Sequence, residues 1–389
     1  MKVLHLISGG DTGGAKTHII ALLKGLNKLI DANVICFLED TFYEEAKAAG
    51  INIKVFKQKS RSDMSVVSRL VEEIESKNYN IIHCHGARAN FIAMFLKRKV
   101  KRPLITTIHS DYKLDFKDNI YKKFVFTTLN TIALKIFDSY IAISDTFKEM
   151  LVERGFKKDR IFVAYNGIDL DIPPEFQSKD EFLKSYKIEY GDKMIVGIVA
   201  RLDLVKDHET FIKAANIVLK KNKDIMFLIA GDGNDEKRLR DIVKGFKIED
   251  DLYFLGYVKQ PYSFFNSIDV NVLSSVSESF PYVILEGARM KKTVISTMVG
   301  GVSPLIKDDF NGYLIPIGDE NALAEKIEIL YNNREKTIIM GQKLYEDVAA
   351  NFSSDSMAEQ HVKIYKEITD KWRKVKWKLL MKKESYLDL

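Results

Sequence analysis

Short apolar runs that recur with helical segments between them constrain this chain more than any other feature. Val3–Ile7, Val34–Leu38, Ile81–Cys84, Leu104–Ile108 and Tyr140–Ile143 are near-continuous apolar stretches. Strands that read this way are buried on both faces, which requires a parallel sheet covered by helices on each side. Lys16–Leu29 supplies one such helix, with Ile19, Leu22, Leu23 and Leu26 at helical spacing. A strand-like Ile161–Ala164 and an Asn166–Gly167 turn come before Pro173 and Pro174, where the chain is expected to change domain. The pattern then restarts. Met194–Ala200, Ile225–Ala230, Leu252–Phe254, Val270–Leu273 and Thr293–Ser296 read as strands. His208–Lys220, Asn234–Gly245, Pro261–Asn266 and Pro281–Met290 read as helices between them. Two such series predict an α/β protein of two doubly wound parallel-sheet domains, residues 1–170 and 171–369. A last helix at about 370–389 is expected to join the first domain.

With 389 residues the chain is long enough to bury two cores without a disulfide or metal staple. Cys36 and Cys84 lie inside strand-like runs, and the chain begins on a strand at once, so free thiols and a cytoplasmic location are expected. No apolar run reaches the ~18 residues of a membrane span; Phe124 to Phe137 comes nearest and is interrupted by polar residues. The net charge of +6 is unevenly placed. Residues 1–170 carry 27 Lys and Arg against 19 Asp and Glu, residues 171–369 carry 26 against 32, and residues 370–389 carry 7 against 3. Lys97, Arg98, Lys99, Lys101, Arg102, Lys113, Lys117, Lys122 and Lys123 form the basic part of the first domain. Together with a helix over Tyr121–Phe137 and the basic, Trp-bearing Trp372–Lys383, they suggest contact with the inner membrane surface. A nucleic-acid binder also uses basic faces with aromatics, but no such motif is present and none is expected to bind.

The first strand runs into Ser8-Gly9-Gly10-Asp11-Thr12-Gly13-Gly14-Ala15 and a helix, a loop over which backbone N–H groups approach an anion closely. A dinucleotide fingerprint would need glycine where Ser8 stands, although Glu39 and Asp40 sit where a ribose-binding carboxylate would. A phosphate loop would need glycine where Ala15 precedes Lys16-Thr17. His83 and His85 alternate with Cys84 on a strand, so the thiol faces away from the imidazoles, which argues against a shared metal.

The second half carries the sharper signal, Glu278-Ser279-Phe280-Pro281-Tyr282-Val283-Ile284-Leu285-Glu286. Pro281 suits a helix start, which puts Glu278 before the helix and Glu286 within it. The amides around Phe280 to Val283 then favour an anionic group.

Here the chain resembles the retaining glycosyltransferases of glycosyltransferase family 4, which have the GT-B fold of two Rossmann-like domains facing across a cleft. The resemblance rests on Glu278 and Glu286, Gly13-Gly14-Ala15, Arg201-Leu202 with Lys206, Asn166–Asp169, Gly231–Gly233 and Leu255-Gly256. It implies that Arg201 and Lys206 hold the diphosphate of a nucleotide-sugar, with Gly13 and Gly14 closing on the phosphates. Glu286 would accept the ribose hydroxyls, Glu278 would lie against the donor sugar, and backbone at Gly256–Val258 would frame the base. Ser279, Phe280, Pro281, Tyr282 and Val283 complete the donor set. His109 would meet the sugar, with His85, Arg88 and Asn166 on the acceptor side. The implied reaction is retaining and needs no metal or cofactor, and UDP stands ahead of GDP. The implied acceptor is a saccharide or lipid-linked saccharide of cell-surface polysaccharide or glycolipid synthesis. A GT-B epimerase and a non-catalytic nucleotide-sugar-binding protein remain open beside it. Lys16 departs from the acidic residue common after Gly-Gly-Ala in the family.

Overall fold

The computed structural model describes residues 1–10, 13–60, 63–109 and 130–384. The chain forms two compact units, Met1–Gly167 with Ser354–Leu389, and Ile168–Ser353.

The first unit is built on the strands β1 (Lys2–Ile7), β2 (Asp31–Cys36), β3 (Ile53–Val55), β4 (Ile81–His85), β5 (Leu104–Ile108), β6 (Ser139–Ala142) and β7 (Ile161–Val163). They form a parallel sheet in the order β3-β2-β1-β4-β5-β6-β7. Alternation along each strand splits the core in two. Leu4, Leu6, Ile82 and Cys84 pack with Leu70, Ile74, Ile92 and Leu96 from the helices Ser65–Ser76 and Gly86–Leu96. Val3, Ile7 and Ile81 pack on the other face with Leu22 and Leu26 of the helix Gly13–Asn27, and with Ala358 and Tyr365 of the helix Ser354–Glu384. Gly25 lets these two helices touch, since a Cβ there would meet the Ser354 carbonyl and the Ala358 methyl.

The last helix therefore enters the first unit at Ser354, not at about 370. Met357, Ala358, Ile364, Tyr365 and Ile368 supply its buried stripe. No Gly or Pro marks the passage from the helix Arg334–Asn351, which hid the crossover from a reading based on chain breakers.

The second unit holds β8 (Met194–Val199), β9 (Ile225–Ala230), β10 (Leu252–Gly256), β11 (Val270–Leu273), β12 (Thr293–Thr297) and β13 (Tyr313–Ile315), parallel in the order β10-β9-β8-β11-β12-β13. β3 and β13 escaped the sequence reading because each is a three-residue edge strand, too short to show a period. The expected helices at Asn234–Gly245 and Pro281–Met290 run instead over Glu236–Phe246 and Tyr282–Arg289. Pro281 keeps an extended backbone (ψ 114°) just ahead of the second.

Both cysteines are free and buried. No described helix is long and apolar enough to cross a membrane. Two of the basic residues assigned to a surface instead hold the fold: Lys97 pairs with Asp138 at 2.6 Å, and the Arg102 Nε donates to the Tyr79 carbonyl at 2.7 Å. Lys113, Lys117, Lys122, Lys123 and most of Tyr121–Phe137 lie outside the described residues. Trp372 is half-buried beneath Lys376, whereas the side chains of Val375, Trp377, Leu379 and Leu380 lie outside those described.

Candidate functional site

In an open parallel sheet a ligand settles beyond the carboxyl ends of the strands, where the strand order reverses. In the second unit that reversal lies between β8 and β11. Arg201 and Lys206 follow β8, and Ser275 and Glu278 follow β11, so the candidate residues straddle it.

The two loops are stitched together. Val276 N–H donates to the Val205 carbonyl at 2.9 Å, and the Ser274 hydroxyl donates to the Lys206 carbonyl at 3.0 Å. Lys206 Nζ then reaches Glu278 Oε1 at 2.6 Å, and the Ser275 hydroxyl donates to the same oxygen at 2.7 Å. Asp203 holds the short turn before Lys206 by accepting from the Val205 and Lys206 amides. Arg201 meets Asp203 at 3.1 Å and is otherwise open, with 79% of its side chain exposed.

Glycines hold these loops close. Gly231 (φ +137°) lies against Ala200, and a Cβ there would overlap the Ala200 carbonyl oxygen. Gly301 is tied to the loop after β11 in the same way, where a Cβ would strike the Ser279 carbonyl.

Glu286 lies in the helix Tyr282–Arg289 near Tyr282 and Tyr262. Burial pushes its carboxyl up to about 7, against the pull of Arg289. Arg289 itself donates to the Tyr262 hydroxyl at 3.0 Å and to the Ile172 carbonyl. Phe280 is buried against Phe352 at 5.7 Å between ring centroids, so its side chain belongs to the core. Ser279 and Val258 are half-buried, Gly256 has φ +67°, and Tyr257 between them is exposed.

The first unit carries a second constellation that sequence reasoning found only in part. Its sheet reverses between β1 and β4. Gly13 and Gly14 open the helix after β1, and Asp11 and Thr12 of that loop lie outside the described residues. Lys16 pairs with Glu45 at 2.6 Å. His5 of β1, His83 and His85 of β4 and His109 beyond β5 meet His18, His361 and Tyr365 from the two covering helices. His5 Nδ1 lies 3.0 Å from His85 Nε2, and His85 Nδ1 lies 3.2 Å from His109 Nε2. His83 contacts the Tyr365 hydroxyl at 2.8 Å and the Thr107 hydroxyl at 2.7 Å. Burial keeps the group neutral: His5 is held down to about 3, His109 and His361 to about 4, and His18, His83 and His85 well below the ordinary histidine range. His5, His18, His361 and Tyr365 were not singled out from sequence, because each is one polar residue in an unrelated apolar segment. Of the expected acceptor-side residues, Arg88 Nε donates to Gln58 Oε1 at 2.9 Å, and Asn166 is buried beside His18. His5, His83 and His85 are also close enough to one another to share a metal ion.

Comparison with known proteins assigns both halves. The family model described as "Glycosyltransferase Family 4" matches residues 12–172, and that described as "Glycosyl transferases group 1" matches residues 179–347. The chain is 24% identical over 375 residues to the O-antigen biosynthesis glycosyltransferase WclY of Escherichia coli, covering 95% of this chain and 99% of that protein. It is 24% identical over 379 residues to the GalNAc-alpha-(1->4)-GalNAc-alpha-(1->3)-diNAcBac-PP-undecaprenol alpha-1,4-N-acetyl-D-galactosaminyltransferase of Campylobacter jejuni, covering 95% and 99%. The solved structure of Anabaena Alr3699/HepE in complex with UDP shares the fold, with a TM-score of 0.78, 20% identity and coverage of 94% of this chain and 100% of that one.

Proposed function

From the premise that this chain belongs to glycosyltransferase family 4 and has the GT-B fold, we propose that it moves a sugar from a nucleotide-sugar, UDP-linked ahead of GDP-linked, to a saccharide or lipid-linked saccharide, with retention at the anomeric carbon and without a bound metal. The observation that carries this reading is the pairing of Lys206 with Glu278 at the reversal of the second sheet, beside the exposed Arg201.

Breaking the anomeric C–O bond leaves the bonding electrons on the diphosphate and positive character on the sugar. Lys206 has three N–H donors and gives one to Glu278, which leaves others for a phosphate oxygen. Arg201 adds a planar fork suited to a second oxygen. Cations fixed where charge develops are the largest stabilisation such a site can offer. Glu278, held by Lys206 and Ser275, takes the sugar side, and Glu286 takes the ribose hydroxyls. As the acceptor oxygen bonds to the anomeric carbon on the face the diphosphate leaves, its proton passes to a phosphate oxygen. His109 of the first unit takes a hydroxyl of the transferred sugar.

The Campylobacter relative is named for an undecaprenol-linked saccharide, which supports a lipid-linked acceptor; with such an acceptor the enzyme would work from the cytoplasm at the inner membrane surface. Relatives named as transferases over 95% of this chain favour transfer over the epimerase and the binding-protein readings. Thermal melting with a panel of nucleotides and nucleotide-sugars tests the donor class, because a bound donor stabilises the fold by mass action. A rise with UDP and UDP-sugars is expected; no rise with any nucleotide would overturn the proposal. Turnover without divalent ions, followed by NMR of the product anomer, tests the other two parts.

A further inference from the structure

Three imidazoles of the first unit run in a line, His5 Nδ1 to His85 Nε2 at 3.0 Å and His85 Nδ1 to His109 Nε2 at 3.2 Å. Each contact joins two ring nitrogens and so holds one shared proton. A neutral imidazole has one donor and one acceptor. His85 must therefore donate on one side and accept on the other, and the line runs in a single direction.

The end of the line decides which. His5 Nε2 is buried and has no hydrogen-bond partner among the described residues. If the protons ran inward from His109, His5 would carry a buried N–H at that nitrogen with nothing to receive it. If they run outward, the same nitrogen is a bare acceptor. Orphaned buried N–H groups are rarer than unsatisfied acceptors, so the outward direction is favoured.

We propose that His85 and His5 are positioning residues that fix His109 as the Nδ1–H form, so that His109 offers a hydrogen-bond donor to an oxygen of the transferred sugar and does not act as its base. All three rings then carry the proton on Nδ1, the less common form of a free imidazole. The inference rests on the reading that His109 meets the sugar. A metal shared by His5, His83 and His85 is the rival use of these side chains. It would strip His83 of its Thr107 or Tyr365 hydroxyl and break one of the two imidazole contacts of His85.

The test is NMR of the intact chain labelled with ¹⁵N-histidine, since ring-nitrogen shifts report the protonated position directly. Nδ1–H at His5, His85 and His109 is expected, unchanged on adding Zn²⁺. Nε2–H at His85 or His109, or a cluster whose signals move together with Zn²⁺, would overturn the proposal. In His85→Gln, checked for an unchanged fold by thermal melting and amide spectra, His109 should lose its single form. Its kcat should fall about tenfold, the size of one hydrogen bond, with KM for the donor held. Retention of Nδ1–H at His109 in that variant would likewise overturn it. The tautomer readout needs no turnover, so an inactive wild-type protein would count against the transferase reading, and the spectra would still decide the positioning role.

Discussion

Lys206 Nζ and Glu278 Oε1 stand 2.6 Å apart although 72 residues separate them in the chain. The pair is shielded, with 21% and 11% of the two side chains exposed. Each residue is therefore both part of the fold and part of the charge arrangement offered to a ligand. Lys206→Met should destabilise the protein by about 2 kcal/mol, because Glu278 keeps a shielded charge with a lost partner. Adding Glu278→Gln should recover part of that loss. Urea melts of the two single variants and the double variant give the coupling directly, and additive losses would show that the pair contributes nothing.

Arg201 separates function from stability. Its guanidinium is largely exposed and meets only Asp203 among the contacts described. Arg201→Ala should leave stability within about 0.5 kcal/mol and lower sugar transfer on the order of 100-fold. Near-normal transfer would remove Arg201 from the phosphate role.

Glu286 predicts a pH dependence of nucleotide binding. With its carboxyl pushed up to about 7, it is largely protonated below that pH and becomes a full acceptor for ribose hydroxyls above it. UDP affinity measured by calorimetry between about pH 6 and 8 should rise more steeply for the wild type than for Glu286→Gln. The nucleotide's own phosphate ionisation is common to both proteins, so parallel curves would exclude the ribose role.

Acid should loosen the first unit early. Burial lowers the six clustered histidines below 6.5, so between about pH 4 and 6.5 the unfolded chain binds more protons than the folded one. Their stability contribution is whole above about pH 6.5 and is lost as pH falls through that window. Each histidine that stays neutral adds a slope of about 1.4 kcal/mol per pH unit. Urea midpoints at about pH 7.5 and 5.5, with the first unit followed by histidine NMR signals, should show it. A flat profile would mean that the cluster accepts protons without unfolding.

A membrane contact that serves a lipid-linked acceptor draws on basic residues that the fold leaves exposed. Lys97 and Arg102 are committed to Asp138 and Tyr79, whereas Arg98, Lys99 and Lys101 are exposed. Neutralising these three should weaken binding to anionic liposomes by about 1 kcal/mol per charge. Flotation unaffected by that change and by removal of residues 371–389 would dismiss the membrane role.

The doubly wound pattern was legible because parallel strands buried on both faces write themselves as apolar runs. Glu278 and Glu286 were marked by their spacing about a helix start, and Arg201 and Lys206 by the family resemblance. Their mutual contact was not, since the β8–β11 neighbourhood that makes it is formed across an intervening α/β stretch. The histidine cluster was least visible of all. It draws on β1, β4, the end of β5 and two helices, and His361 lies 252 residues beyond His109. No local pattern marks one imidazole as the neighbour of another that far away.

The return of the chain at Ser354 sets an order of events during synthesis. The second unit is one unbroken stretch, Ile168–Ser353, and can close as soon as it has left the ribosome. The first unit, although made earlier, lacks Met357, Ala358, Tyr365 and Ile368 until the chain has been made past Ile368. Until then β1 and the helix Gly13–Asn27 present bare apolar surface, and His83 lacks the Tyr365 hydroxyl. The half of the protein made first is the half that finishes last, and a ribosome stalled before about residue 370 would leave a closed second unit tethered to an open first one.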